Sequence, residues 1–404
     1  MREFGRKCFK YTAYFNFDQS GDLAKEFENT KDPSRLLEIL GLYTDVPLKA
    51  GETLIIFDEI QQSNKALNSL KYFCEEAPQY HLIAAGSLLG VALSKGDSFP
   101  VGKVEFLQMY PVSFKEFLRE ADEKIYDYVE RIKEIGPLPE IVKNRLEENY
   151  RRYSVCGGMP AAVCALLEDK GVGAVNSELQ DILLAYAMDF AKHAPGAQIP
   201  RITAVWESVP SQLAKENRKF VYKLVKPGAR AREYEDALLW LQQAGLIYRV
   251  FCTSRPGLPL MAYDDVSAFK VYLFDTGLLR VMAGLPAEAI WEENPMYREF
   301  RGSLAENSVL EALVPQFEVM PRYWTSNGMA EVDFVVQDAL KVIPAEVKAG
   351  NNTSGKSLSV YIKNFEPKIS IVYSGKNMSF TNGVLYLPLS LACWTKKLVN
   401  LIGQ

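Results

Sequence analysis

Four stretches of this 404-residue sequence carry side chains whose types and spacing could do chemistry. The first is LIIFDEI at 54–60. Four apolar residues read as a short strand buried on both faces, and Asp58 and Glu59 follow at its end. That is the Walker B pattern of nucleotide hydrolysis. Asp58 would hold the Mg²⁺ that bridges the phosphates, and Glu59 would orient and deprotonate the attacking water. The next apolar run, HLIAAGS at 81–87, ends in Ser87, where such folds carry a polar residue that senses the γ-phosphate. Without further support, an acid pair after an apolar run is also how any buried strand meets solvent.

A phosphate cradle belongs in the first strand–loop–helix of such a sheet. No GxxxxGKS/T precedes Asp58, and the first strand, YTAYFNF at 11–17, is not followed by a glycine-rich loop. The pattern occurs instead at 350–357, GNNTSGKS, with Gly350, Gly355, Lys356 and Ser357 in place. The strand before it, VIPAEVK, carries Glu346 and Lys348 where a P-loop strand is apolar. We read the match as a polar loop with a lysine near a helix start.

The third stretch explains that strand better. EVDFVV (331–336) places Asp333 in an apolar strand, and Glu346 and Lys348 share a face of the next one. If the two strands pair as a hairpin, Asp333 reaches that face. Asp333, Glu346 and Glu306, the last on the preceding helix, would ligate a divalent metal through oxygen, and Lys348 would polarise water or steady phosphate charge. Helix Glu, strand Asp, strand ExK, then helix is the order of the PD-(D/E)XK nuclease fold. A salt-bridge cluster in a fold without its chemistry gives the same text. The fourth stretch is basic: Lys215, Arg218, Lys219, Lys223, Lys226, Arg230 and Arg232, with Glu216 as the acid among them. It would lay a winged-helix surface on DNA phosphates, or simply be a solvated face.

The elements that would position these residues alternate as strand and helix to about residue 120, which argues for a parallel α/β sheet. VEFLQMYPVSFKEFLRE (104–120) reads as a strand, a proline turn and a helix. Helical text follows to about 200, broken by Gly157-Gly158-Met159-Pro160. IPRITAVWESVPSQLAKE and REYEDALLWLQQAG read as helices, and LIYRVF and KVYLF as a small hairpin, together a winged-helix-like module. From about 297 a helix, three strands, a helix and two strands make a separate α/β domain. The division expected is 1–120, a P-loop-like core; 121–197, a helical lid-like segment; 198–290, the winged-helix-like module; and 291–404, the nuclease-like domain.

Composition bounds the rest. Hydrophobic residues are 48% and charged residues 24%, ordinary for a globular chain and wrong for a disordered tail or a fibre. The net charge of −4 leaves any nucleic-acid contact to a local basic patch. The six cysteines, at 8, 74, 156, 164, 252 and 393, form no CxxC, and His81 and His193 are the only histidines, so neither a zinc cluster nor a disulfide framework is expected. No apolar run is long enough to cross a membrane and no apolar signal core opens the chain, so a cytoplasmic location and no membrane partner are expected.

LIIFDEIQ, AAGSLLGVALS and FPVGKVEFLQMYPVSFKEFL resemble the core of a bacterial and archaeal family of AAA-type ATP-binding proteins that end in a nuclease-like domain of unknown function. YSVCGGMPAAV, GARAREYEDALLWLQQAGLIYRV, KVYLFDTGLL, RGSLAENSVLEAL, YWTSNGMAEVDFVV and PAEVKAG extend the resemblance over nearly the whole chain. It implies ATP and Mg²⁺ as cofactors, Asp58 and Glu59 as Walker B acids, Ser87 as the sensor, and Glu306, Asp333, Glu346 and Lys348 as the nuclease-like set. It implies an unknown protein partner or DNA, and self-association. The family opens with a strand, a Walker A loop and a helix; here MREFGRKC resembles the tail of that helix. The expectation is a chain without its Walker A segment and with weak or absent ATP hydrolysis. The alternatives are a Mg²⁺-dependent DNA nuclease and a non-catalytic binding module with vestigial sites.

Overall fold

The computed structural model describes residues 1–19, 21–86, 102–215, 219–291, 295–326, 330–350 and 355–402. Contacts divide the chain into two units, Met1–Met109 with Gln243–Gly245, and Tyr110–Gln242 with Leu246–Gln404.

In the first unit, helix α1 (Arg2–Cys8) leads into β1 (Tyr11–Asn16), followed by α2 (Gly21–Asn29), α3 (Pro33–Leu42), β2 (Thr53–Asp58), α4 (Asn64–Glu76) and β3 (His81–Ala84). The strands form a parallel sheet in the order β1-β2-β3. Parallel neighbours need helical crossovers, and α3 and α4 begin on strong caps: Asp32 accepts from Ser34 N with Pro33 next in line, and Ser63 accepts from Ala66 N. β2 is the middle strand, and Leu54, Ile55, Ile56 and Phe57 are all buried. Phe57 is the hub of the core. Phe15, Phe17, Phe27 and Phe73 each meet it edge-on at centroid distances of 5.4–6.1 Å.

The strand expected at 104–109 does not form. Those residues adopt no regular element, and Phe106, Leu107 and Met109 are exposed. Apolar text makes a strand only where a neighbour offers ladder groups, and among the described residues none pairs here.

The second unit begins with α5 (Phe114–Ala121), opened by a Ser113–Glu116 capping box, then α6 (Glu123–Glu130), α7 (Glu140–Cys156), α8 (Pro160–Leu167) and α9 (Gly171–His193). α7 stops at Gly157, whose φ of 65° needs a glycine. Next come α10 (Ile199–Leu213), α11 (Tyr222–Val225), α12 (Ala231–Gln243), β4 (Ile247–Thr253), β5 (Asp264–Leu273), α13 (Thr276–Met282), α14 (Ala287–Trp291) and α15 (Arg298–Leu313). The chain closes with β6 (Arg322–Thr325), β7 (Glu331–Asp338), β8 (Lys341–Val347), α16 (Lys356–Phe365), β9 (Ser370–Ser374), β10 (Ser379–Thr381), β11 (Val384–Pro388) and α17 (Thr395–Ile402).

One mixed sheet runs β10-β11-β9-β8-β7-β6-β4-β5. The β4–β5 hairpin, expected as the wing of a separate module, therefore belongs to the C-terminal sheet. β4 runs parallel to β6, pairing Cys252 with Tyr323 and Thr253 with Trp324. A free hairpin would leave the outer edge of β4 unpaired, and joining β6 satisfies it. The expected boundary at 290 thus falls inside a continuous sheet, and those at 120 and 197 fall inside the same unit. Among the described residues no helix is long and apolar enough to cross a membrane.

Candidate functional site

Two acidic sites stand out, one in each unit. In the first, Asp58 and Glu59 stand at the C-terminal tip of β2, where open parallel sheets bind ligands. The chain turns there through Glu59, at φ 52°, ψ 39°, into a short 3₁₀ turn (Ile60–Gln62). Ile60 N donates to Ala85 O at the end of β3, so the turn is pinned to the neighbouring strand. A glutamate in the left-handed region is strained, and such residues collect where function fixes the backbone. Asp58 is held from both sides: Tyr14 Oη donates to Oδ2 at 2.5 Å and Glu59 N to Oδ1 at 3.1 Å. Gln61 Nε2 donates to Glu59 Oε2 at 2.5 Å. Both acids are half-buried. Ser87 lies outside the described residues.

A Mg²⁺–nucleotide fits this tip in part. Both Asp58 oxygens already accept neutral donors, which suits a carboxylate that would orient metal-bound water, and the Glu59 carboxylate stands beside it. Mg²⁺ would supply Lewis-acid stabilisation of phosphate charge. Ligands for the phosphates themselves do not occur as a GxxxxGKS/T in residues 1–57.

In the second unit, the four expected residues converge. β7 and β8 pair antiparallel with Phe334 opposite Ala345, and continuing that register sets Asp333 opposite Glu346 on one face. Glu306 comes from α15. Glu306, Asp333, Glu346 and Lys348 line a cleft of about 1090 Å³, together with Lys215, Lys219, Asp265, Tyr323, Glu331 and Ser357. Each acid is already engaged. Val347 N donates to Asp333 Oδ2 at 2.8 Å, and Tyr272 Oη to Glu306 Oε2 at 3.2 Å. Lys348 Nζ lies 2.5 Å from Glu346 Oε1. Burial raises the Glu346 carboxyl above its ordinary range; Lys348 pulls it back, and Asp333 adds to the rise. Glu346 Oε2 is buried and makes no hydrogen bond.

That orphaned oxygen is the best sign of a cation, yet it faces Gly355, where an added Cβ would come within 2.8 Å of it. Among the described residues no group of three acid, histidine or cysteine side chains is arranged to hold a metal. Asp333, Glu346 and Glu306 share a cleft but, as placed, do not make a Mg²⁺ site.

The phosphate-loop match at 350–357 falls at the start of α16. Residues 351–354 lie outside the described residues, but Gly355 caps α16 and Lys356 and Ser357 form its first turn. Glu346 sits at that helix start, with the Leu358 backbone amide favouring its charged form. A carboxylate of the chain thus stands where a P-loop receives phosphate.

The described part of the basic stretch is a connection between helices, as expected. α11 is four residues long, and Lys223, Lys226, Arg230 and Arg232 are exposed around it. Lys215 and Lys219 line the acidic cleft instead, and Arg218 lies outside the described residues.

Sequence reasoning missed a buried network beneath the Gly157-Gly158 turn. Asp275 caps α13, accepting from Leu278 N at 2.7 Å and from Gly158 N at 2.6 Å. Glu311 Oε2 accepts from Thr276 N at 3.0 Å and Thr276 Oγ1 at 2.7 Å. The Tyr153 hydroxyl has one proton for two acceptors, Val112 O at 2.8 Å and Glu311 Oε1 at 3.0 Å. A protonated Glu311 removes that shortage. Burial, with the Asp275 charge behind it, pushes the Glu311 carboxyl up to about 8. Burial raises Asp275 as well, against the pull of its backbone donors. Gly157 and Gly277 are required here, since a Cβ on either would meet the other's segment at 2.5 Å or less. A glycine pair at 157–158 and a DTG at 275–277, distant in the text, were the only signal.

Residues 1–118 match the family model described as AAA domain. Residues 147–289 and 301–392 match two models described as domains of unknown function, DUF8612 and DUF4143. A comparison with curated proteins finds no match. Among solved structures, the chain is similar to the Walker-type ATPase PABY2304 of Pyrococcus abyssi, at 13% identity and a TM-score of 0.40, over 70% of this chain and 93% of that one.

Proposed function

We propose that this protein is an AAA-type nucleotide-binding protein whose N-terminal acids serve Mg²⁺–ATP and whose C-terminal cleft binds rather than cuts. The observation that carries the first half is the placement of Asp58 and Glu59 at the tip of the central parallel strand, in the segment that matches the AAA domain. Asp58 takes the metal side through water and Glu59 takes a proton from the attacking water. Without phosphate-loop amides and their lysine, the 404-residue chain holds the β- and γ-phosphates weakly, so hydrolysis is slow or absent.

The test is calorimetry of Mg²⁺–ATP with the 404-residue chain, beside Asp58→Asn and Lys356→Ala. Weak binding that Asp58→Asn lowers and Lys356→Ala leaves alone supports the reading. Binding abolished by Lys356→Ala alone would move the nucleotide to the C-terminal unit and sink it.

For the second half, the four nuclease-like residues share one cleft, but each acid is engaged within the chain. Acids also outnumber lysines along its walls, which disfavours a phosphate backbone. DNA, if it is the partner, meets the exposed Lys223, Lys226, Arg230 and Arg232. Duplex DNA incubated with Mg²⁺ or Mn²⁺ should stay intact. Cleavage lost in Glu346→Ala or Lys348→Ala would establish the nuclease reading instead.

A further inference from the structure

The acids of the C-terminal cleft need a positive charge near them, and the residue that brings it lies outside the expected motif. Lys270, on β5, is fully buried. Its Nζ lies 2.5 Å from Glu331 Oε1 and 5.0 Å from the centroid of the Tyr323 ring. Two residues on, and on the same face of β5, Tyr272 holds Glu306. Burial alone disfavours the charged form of this ammonium. Attraction from Glu306, Glu331 and Asp333 outweighs that cost and keeps it charged.

We propose that Lys270 is a tethered cation standing where these acids would otherwise gather a divalent metal, so that the cleft takes no Mg²⁺ or Mn²⁺ while Lys270 is present. Glu331 is ion-paired with its ammonium, Tyr272 on the same face of β5 holds Glu306, and Glu346 is paired with Lys348. A divalent ion entering among them would face a fixed positive charge with no route to solvent. The fixed ammonium differs from a metal in one chemical respect. It has no vacant coordination position, so it can bind anions and orient carboxylates, but it cannot activate a water by Lewis acidity. The inference stands apart from the nucleotide reading of the first unit.

Lys270→Met keeps the bulk of the stem and removes the charge. The experiment is thermal unfolding of the full chain with and without about 1 mM Mn²⁺, for wild type, Lys270→Met, Asp333→Asn and the Lys270→Met/Asp333→Asn double variant. In wild type, the Mn²⁺ shift that Asp333→Asn removes should be under about 1 °C. Lys270→Met should melt lower in metal-free buffer, and Mn²⁺ should raise its Tm by about 5 °C. The double variant should not respond. If Lys270→Met does not fold without metal, recovery of its near-ultraviolet circular dichroism on adding Mn²⁺ supports the proposal, and failure to recover overturns it. A wild-type Mn²⁺ shift abolished by Asp333→Asn, or a folded Lys270→Met indifferent to Mn²⁺, would also overturn it.

Discussion

Asp58 and Glu59 stand half-buried at the open end of a strand whose other residues, Thr53 and four apolar side chains, are sealed. Asp333 and Glu346 lie within paired strands, buried along their length, each with a donor from its own chain. Both sites were read from an acid following apolar text, and they solve opposite problems. At the β2 tip the sheet supplies position and solvent supplies solvation, so the acids can wait for a partner. In the C-terminal cleft Glu306, Asp333 and Glu346 are themselves buried, so the chain must supply their counter-charges and donors, and a side chain answered internally has little left for a ligand. A carboxylate pattern in sequence is therefore only half a description of a site; the other half is what has been put opposite it.

The comparison can be broken by mutation. The largest expected effect is Phe57→Ala. It empties the meeting point of five rings, and a buried Phe→Ala costs about 3–5 kcal/mol, enough to unfold the first unit in a denaturant titration followed by hydrogen exchange. If that unit kept its protection, Phe57 would not be the hub of the core that holds β2 in place. Next comes Asp333→Ala, which leaves the Val347 N–H short of an acceptor and removes a negative charge that favours the Lys270 ammonium. A loss of about 1–3 kcal/mol is expected, against under about 1 kcal/mol for Asp58→Asn. Equal losses in chemical denaturation would erase the distinction between the two sites.

The third effect is a pH slope. The Glu311 carboxyl is raised above its ordinary value, so the folded state holds a proton that the unfolded chain gives up. That contribution is fully present below the ordinary carboxylate range, and it is lost as pH rises through about 8. The Tm of the second unit should therefore fall between about pH 5 and pH 8, and Glu311→Gln should flatten the slope. A Glu311→Gln profile parallel to wild type would show that Glu311 is ionised in the fold. The smallest effect belongs to Glu346→Gln. The amide keeps the shape and relieves a buried charge whose second oxygen has no partner, while Lys348 is partly exposed and readily hydrated. A change within about 1 kcal/mol is expected in urea unfolding, and a larger loss would mean that the Glu346–Lys348 pair carries the hairpin.

Local text was enough for much of this. An apolar run with acids at its end pointed to β2 and its tip, and strand alternation put Glu346 and Lys348 on one face, which Asp333 shares through the β7–β8 pairing that the text left conditional. The failures all needed distant partners. Whether VEFLQMY is a strand depends on a neighbour that the text cannot name. The hairpin at LIYRVF and KVYLF reads the same whether it stands alone or continues a sheet. Lys270 opens KVYLF and looks like an ordinary charged residue at a strand start; the acids that bury it lie on α15 and β7. Asp275 and Glu311 are 36 residues apart in number alone, and what couples them is a shared dry interior.

The weaving of β5 into the late sheet also bears on how the chain is made. Lys270 leaves the ribosome 61 residues before Glu331, and Glu306 falls between. The three described strands of the first sheet, by contrast, have all emerged by Ala84. The first unit can thus settle early in synthesis, while β4 and β5 must wait, hydrated and with an open edge, until β6 and β7 emerge. That interval is the one in which a chaperone would find most to hold, and in which a stop codon would leave the most adhesive fragment.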